Sequence, residues 1–167
     1  PLGDLERHAF PFPWGVLEPT HVTQVRFPWR GAIATLINVH LHTVSSRKPW
    51  DDPTFTLWNP RAWWRYVQLY RDGALRRAAE ARRIRELMEE IDGPLLVVGD
   101  FNSTPHSWVY RHLAEGLQDA HRIAGRGLGF TYPASFPLVR IDYVLASPHW
   151  EVIAAHVPDA YARSDHR

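Results

Sequence analysis

Apolar residues recur along this chain with two different periods. Residues 21–29 alternate in part, through Val22, Val25 and Phe27, and residues 32–41 are more continuously apolar; both stretches read as strands. Arg30-Gly31 lies between them like a tight turn, so the two predict a hairpin. Leu95-Leu96-Val97-Val98 is short and wholly apolar, the pattern of a central buried strand. Ile141 to Ala146 and Glu151 to Val157 predict a second strand pair, with Ser147-Pro148-His149-Trp150 as its turn.

The helical period dominates residues 61–91. Leu75, Ala78, Ala79, Ile84, Leu87, Met88 and Ile91 recur at spacings of three and four. Asp72-Gly73 is a candidate break, and Asp92-Gly93-Pro94 the stop. Arg76, Arg77, Arg82, Arg83 and Arg85, with Glu80, Glu86, Glu89 and Glu90, then form the outer face. A solvated face with internal ion pairs explains them better than nucleic-acid contact. Thr104-Pro105 predicts a second helix, capped by Thr104 and ending at Gly116. Residues 117–139 read mostly as loop.

Two stretches are irregular. Residues 1–20 are rich in Pro and aromatics and read as an ordered loop leading into the first strand. Residues 43–62 hold Pro49, Pro53 and Pro60 with Trp50, Phe55 and Trp58. Such a loop is either a lid or a surface insertion held down by its rings, and both readings stand. The Trp50–Trp64 region, with Phe55 and Trp58, could face a lipid headgroup or a base, with core packing the simpler expectation. The order strand pair, helix, strand, helix, strand pair predicts an α/β fold, a mixed sheet with helices on its outer faces.

Composition narrows the picture. The chain has 167 residues, 45% hydrophobic and 22% charged, which fits one globular domain. Its 19 basic and 18 acidic residues leave a formal charge of +1, which argues against a global polyanion-binding surface. The absence of cysteine excludes disulfides, thiolate metal sites and a cysteine nucleophile. No apolar run approaches the roughly 20 residues of a membrane span. The first residues, Pro1-Leu2-Gly3-Asp4, resemble neither a signal peptide nor a translation start.

Candidate chemistry gathers where the apolar runs end. Asn38-Val39-His40 closes one strand, and Gly99-Asp100-Phe101-Asn102 closes the central one. Asp142 lies within a third, and Ser164-Asp165-His166 comes just before Arg167. Asp100 can orient or deprotonate water, and Asn102 can hold an oxygen without adding charge. The bland reading of this pair is an Asx turn leading into the Thr104 helix cap. Asp142 in an apolar strand costs free energy unless it is paired, and a histidine such as His166 needs a carboxylate to fix its tautomer. Asp165 is a carboxylate suited to a hard cation such as Mg²⁺. His40 and His42 share a face if the strand continues, with His40 the better candidate.

These clusters together resemble the endonuclease/exonuclease/phosphatase superfamily, in order and at plausible intervals over residues 30–167. Gly129-Phe130-Thr131-Tyr132-Pro133 also resembles bacterial members, some of them tethered to membranes. The resemblance implies a four-layer α/β sandwich and a Mg²⁺- or Mn²⁺-dependent hydrolase of phosphate esters acting by in-line attack of water. It implies that His40 contacts the scissile phosphate, Asp100 activates water and Asn102 binds phosphate or water. His166 would protonate or stabilise the phosphorane, Asp142 would orient His166, and Asp165 would help bind metal. A catalytically inactive relative that uses the cleft for binding is the alternative. The substrate stays open among nucleic acid, phospholipid and soluble phosphate esters, with a monomer and no protein partner expected.

The superfamily's early Asn and metal-binding Glu have no counterpart before His40. Residues 1–167 are therefore expected to be a partial domain, lacking roughly 100 N-terminal residues and a last strand. One sheet should then expose an apolar face, and the isolated chain should be unstable and inactive. The compartment stays open: membrane-tethered or extracytoplasmic through a preceding segment, or cytoplasmic.

Overall fold

The chain runs β1 (Leu5–Phe10), β2 (Thr20–Trp29), β3 (Ala32–His40), α1 (Pro60–Glu89), β4 (Leu95–Asp100), α2 (Trp108–Ala114), β5 (Gln118–Asp119), α3 (Ala120–Ala124) and β6 (Asp142–Ala146). These elements come from a computed structural model that describes residues 4–10, 20–43, 58–159 and 163–167. Much of the expected 43–62 loop lies outside the described residues.

The strands make one mixed sheet in the order β1-β2-β3-β4-β6-β5. Arg30 and Gly31 both take positive φ, 48° and 83°. A two-residue turn of that hand matches strand twist, so β2 and β3 form the expected hairpin. β3 and β4 are parallel, and α1 makes the crossover between them. β4 lies between β3 and β6, the central place its apolar run predicts. This is the expected α/β class, a mixed sheet with helices, although the described residues hold only one sheet.

The two sheet faces differ. Ile37, Val39, Val97, Tyr143 and Leu145 pack with Ala81, Ile84 and Met88 of α1 and Val109 and Leu113 of α2 to form the core. By register, Val25, Leu36, Leu96 and Val98 share the opposite face with Val144, which is exposed. Val25, Leu36, Leu96 and Val98 are half-buried, and Val98 and Val144 line a hollow with Ala155, His156, Val157 and Pro158.

Four local expectations are corrected. Residues 5–10, expected as loop, form β1 because β2 offers an unpaired edge. α1 is unbroken at Gly73, because the buried stripe around it outweighs the weak helix propensity of glycine. The second helix begins at Trp108 rather than Pro105, since the side chain of Ser107 accepts from the Tyr110 N–H and caps it. Residues 151–157 are not a strand: β5 already pairs with that side of β6, and Ile153 stays 84% exposed.

The helix face is corrected too. Arg77 and Glu80, expected on the solvated side, are 4% and 1% exposed. They share the stripe of Ala81, Ile84 and Met88, at spacings of three, four, seven and eleven from Arg77.

Candidate active site

The parallel register of β3 and β4 sets His40 beside Asp100, and the antiparallel register of β4 and β6 sets Asp100 opposite Asp142. Three strand ends therefore deliver their polar residues to one rim of the sheet. Gly99 permits this approach. Its φ is +125°, and a Cβ there would lie 2.0 Å from the Val39 carbonyl oxygen. Only glycine fits at that point.

His166 completes the group from the C-terminal segment. Its Nδ1 lies 2.9 Å from Asp142 Oδ2, and its Nε2 lies 3.9 Å from Asp100 Oδ2. On the other side, His40 Nε2 lies 3.7 Å from the same Asp100 oxygen. The Tyr132 ring packs against the His166 ring with centroids 4.9 Å apart. Backbone bonds stitch this segment down: Ala134 N–H donates to the Asp165 carbonyl, and Arg167 N–H to that of Thr131. Thr131 Oγ1 also accepts from the N–H groups of Ile141 and Asp142.

Asn102 sits in the left-handed region, with φ 45°, and turns back on Asp100. Its N–H donates to Asp100 Oδ1 at 2.7 Å. Its side-chain Nδ2 donates to Asp100 Oδ2 and to the Leu41 carbonyl, each at 2.9 Å. The Asx turn is thus real, and both amide hydrogens are engaged within the protein.

The titration of the site follows from its crowding. Burial pushes the Asp100 carboxyl above its ordinary value. The Asn102 N–H opposes that shift, the charge of Asp142 adds to it, and His166 and His40 offset part of it. For His166, burial disfavours the charged ring, but the hydrogen bond and charge of Asp142, then Asp100 and Asp165, outweigh it. The net effect raises His166 above the ordinary imidazole value. His42 moves the other way: burial lowers it, Glu80 opposes, and Arg76 and Arg77 add to the lowering.

Asp100, Asp142 and His166 each offer a ligand atom within 4.8 Å of the others. The two carboxylates of that group suit a hard divalent cation, while His166, favoured in its charged form, stands beside it. Asp165, the carboxylate expected to bind metal, is exposed and outside this group.

Sequence reasoning missed the support beneath the rim. Glu80 Oε2 accepts from the His42 N–H at 2.9 Å, and Arg77 Nη1 donates to the His42 carbonyl at 3.1 Å. Two buried charged side chains thus hold both backbone polar groups of His42, two residues after His40. Their heptad-like spacing with Ala81 and Ile84 was the available signal. Arg140, between Val139 and Ile141, is structural: it grips Asp119 at 2.7 and 3.1 Å, and its guanidinium lies over the Tyr143 ring.

The sequence profile of the endonuclease/exonuclease/phosphatase family matches residues 3–166. The chain belongs to that family. Solved structures agree in fold across this family. A protein of unknown function from Enterococcus faecalis superposes with a TM-score of 0.71 at 20% identity, covering 99% of this chain and 63% of that one. A mannosyl-6-phosphatase from Bacteroides thetaiotaomicron gives 0.62 at 18% identity, covering 99% and 64%. An endonuclease/exonuclease/phosphatase from Bacteroides vulgatus gives 0.62 at 21%, covering 99% and 62%. The chain therefore spans a little under two thirds of these structures. No curated protein matches it in sequence.

Proposed function

We propose that this chain carries the second half of the active site of a divalent-metal-dependent phosphoesterase. The observation that carries the reading is the convergence of His40, Asp100, Asn102, Asp142 and His166 on one sheet rim. Family membership and a phosphatase among the similar folds support it.

Asp100 orients and deprotonates the attacking water. Its raised pKa brings the carboxylate closer to the basicity that proton transfer requires. Asn102 fixes the direction of that carboxylate and, with both amide hydrogens engaged, acts on Asp100 rather than on phosphate. His166, held by Asp142 and favoured in its charged form, donates to a phosphoryl oxygen as charge develops there. His40, 76% exposed beside Asp100, contacts the phosphate from the open side. Mg²⁺ or Mn²⁺ would be held by the grouped carboxylate oxygens of Asp100 and Asp142. The ion would neutralise phosphoryl charge and polarise the phosphorus.

The test is hydrolysis of bis-p-nitrophenyl phosphate and p-nitrophenyl phosphate by a protein containing the whole domain. Mg²⁺- or Mn²⁺-dependent turnover that EDTA abolishes is expected, with the 167-residue chain alone inactive. Turnover that survives both EDTA and Asp100→Asn would overturn the reading.

A further inference from the structure

The first half of α1 plays no part in this chemistry. Arg77 and Glu80 lie level with His42, just past the end of β3. α1 runs back from that end of the sheet to β4, so its earlier residues lie beyond the rim that holds His40 and Asp100. Pro60 to Arg76 amounts to roughly 25 Å of helix. The buried residues of α1 begin only at Gly73.

This projecting arm is apolar on one face and basic on the other. Trp63, Val67 and Tyr70 recur at spacings of four and seven, with Trp64 alongside. Arg61, Arg65 and Gln68 follow the same spacing on the far side. Trp58 is 92% exposed and Trp64 66%, contrary to the core packing expected of the Trp50–Trp64 region, whose residues 50–57 lie outside the described residues. Trp58, Pro60, Trp63, Trp64 and Val67 line a shallow hollow of about 480 Å³. From Trp58 to Arg71 there are three arginines and no acidic residue.

Exposed Trp and Tyr with flanking Arg on an amphipathic helix is the chemistry of the bilayer interface. Single-stranded nucleic acid would also use rings and arginines. Val67, exposed on the same face as Trp63, gains nothing from stacking on bases but gains from acyl chains. No described helix is long and apolar enough to cross a membrane, so the arm would lie along the surface. We propose that residues 58–71 dock on an anionic lipid bilayer and hold the candidate catalytic rim against it. Docking itself stands apart from the phosphoesterase reading, and only the purpose of holding the rim there rests on it.

The test is co-sedimentation of the full chain with phosphatidylcholine vesicles, with and without phosphatidylglycerol. The expected result is binding that phosphatidylglycerol strengthens and salt weakens. Trp58→Ser with Trp64→Ser and Val67→Gln should reduce partitioning about tenfold or more. Arg61→Glu with Arg65→Glu should reduce it to a similar degree on anionic vesicles only. These side chains are exposed, so folding is not at stake. Val98→Thr with Val144→Thr, on the sheet face away from the core, should leave binding intact. The proposal is overturned if the wild-type chain ignores anionic vesicles, or if the arm variants bind as it does. It is also overturned if binding disappears with the sheet-face variant instead, or if the arm binds a single-stranded oligonucleotide in preference to vesicles.

Discussion

Asp100 and Asp142 are direct partners across β4 and β6, and the imidazole of His166 bridges their carboxylates. Like charges directly opposite one another destabilise a sheet unless something positive intervenes. Here the imidazolium does so from one side, and a divalent cation would do so from the other.

Removing Asp142 should therefore release His166. Asp142→Asn is expected to lower the His166 pKa towards or below the ordinary imidazole value, read by NMR titration in metal-free buffer. The sign for stability follows. Because the folded pKa is raised, the interaction stabilises fully below the unfolded value near pH 6.5 and is lost as pH rises through the folded value. Asp142→Asn should remove that dependence. An unchanged His166 titration would contradict the pairing.

Asp100 has the opposite linkage. Its folded pKa is raised, so its ionisation opposes folding, and stability recovers as pH falls through that value. Asp100→Asn should thus leave the melting temperature at neutral pH unchanged or higher. It should also cut hydrolysis by the complete domain about 10²–10⁴-fold. A variant with full turnover would remove Asp100 from the mechanism.

Metal should stabilise what Asp100 destabilises. Saturating Mg²⁺ or Mn²⁺ is expected to raise the thermal midpoint, by mass action on the folded state, and EDTA should reverse it. The gain should shrink in Asp100→Asn. An equal gain in both proteins would place the ion elsewhere.

The Arg77 and Glu80 pair gives a test of positioning against stability. Either single apolar substitution removes the partner of one His42 backbone group and should cost about 1–3 kcal/mol in urea unfolding. Arg77→Met with Glu80→Leu removes both charges from the interior and should cost less than the two single losses added together. The double variant should nonetheless lose about 10²-fold in kcat, because the backbone of His42, next to the strand end that carries His40, is no longer held. Full activity in a well-folded double variant would reduce the pair to packing.

Gly99→Ala should be among the most damaging small substitutions in the chain. The new methyl meets the Val39 carbonyl, and the backbone φ is wrong for any L side chain. A loss on the order of 2–4 kcal/mol is expected in denaturant melts. A near-neutral effect would mean that the strand ends can move apart.

The sequence revealed most where a local signal sufficed. Arg30-Gly31 announces its turn, and the Leu95–Val98 run announces a central strand. The polar residues at the strand ends were legible for the same reason, since a charge in an apolar run demands a partner. Arg77 and Glu80 were misread because charged residues on a helix ordinarily face water, and only their register with Ile84 and Met88 says otherwise. The stretch 151–157 has strand-like composition, but composition cannot show that β5 takes the neighbouring edge. Pro105 suits a helix start, yet the turn that Asn102 makes on Asp100 comes first and moves the start to Ser107.

The thirty-residue span of α1 joins two places that are otherwise unrelated. One end stands clear of the sheet, and the middle grips the peptide of residue 42. A continuous rod does not tilt at one end alone. Whatever leans on its tip turns about the packed second half as a fulcrum, and the strand carrying His40 feels the torque.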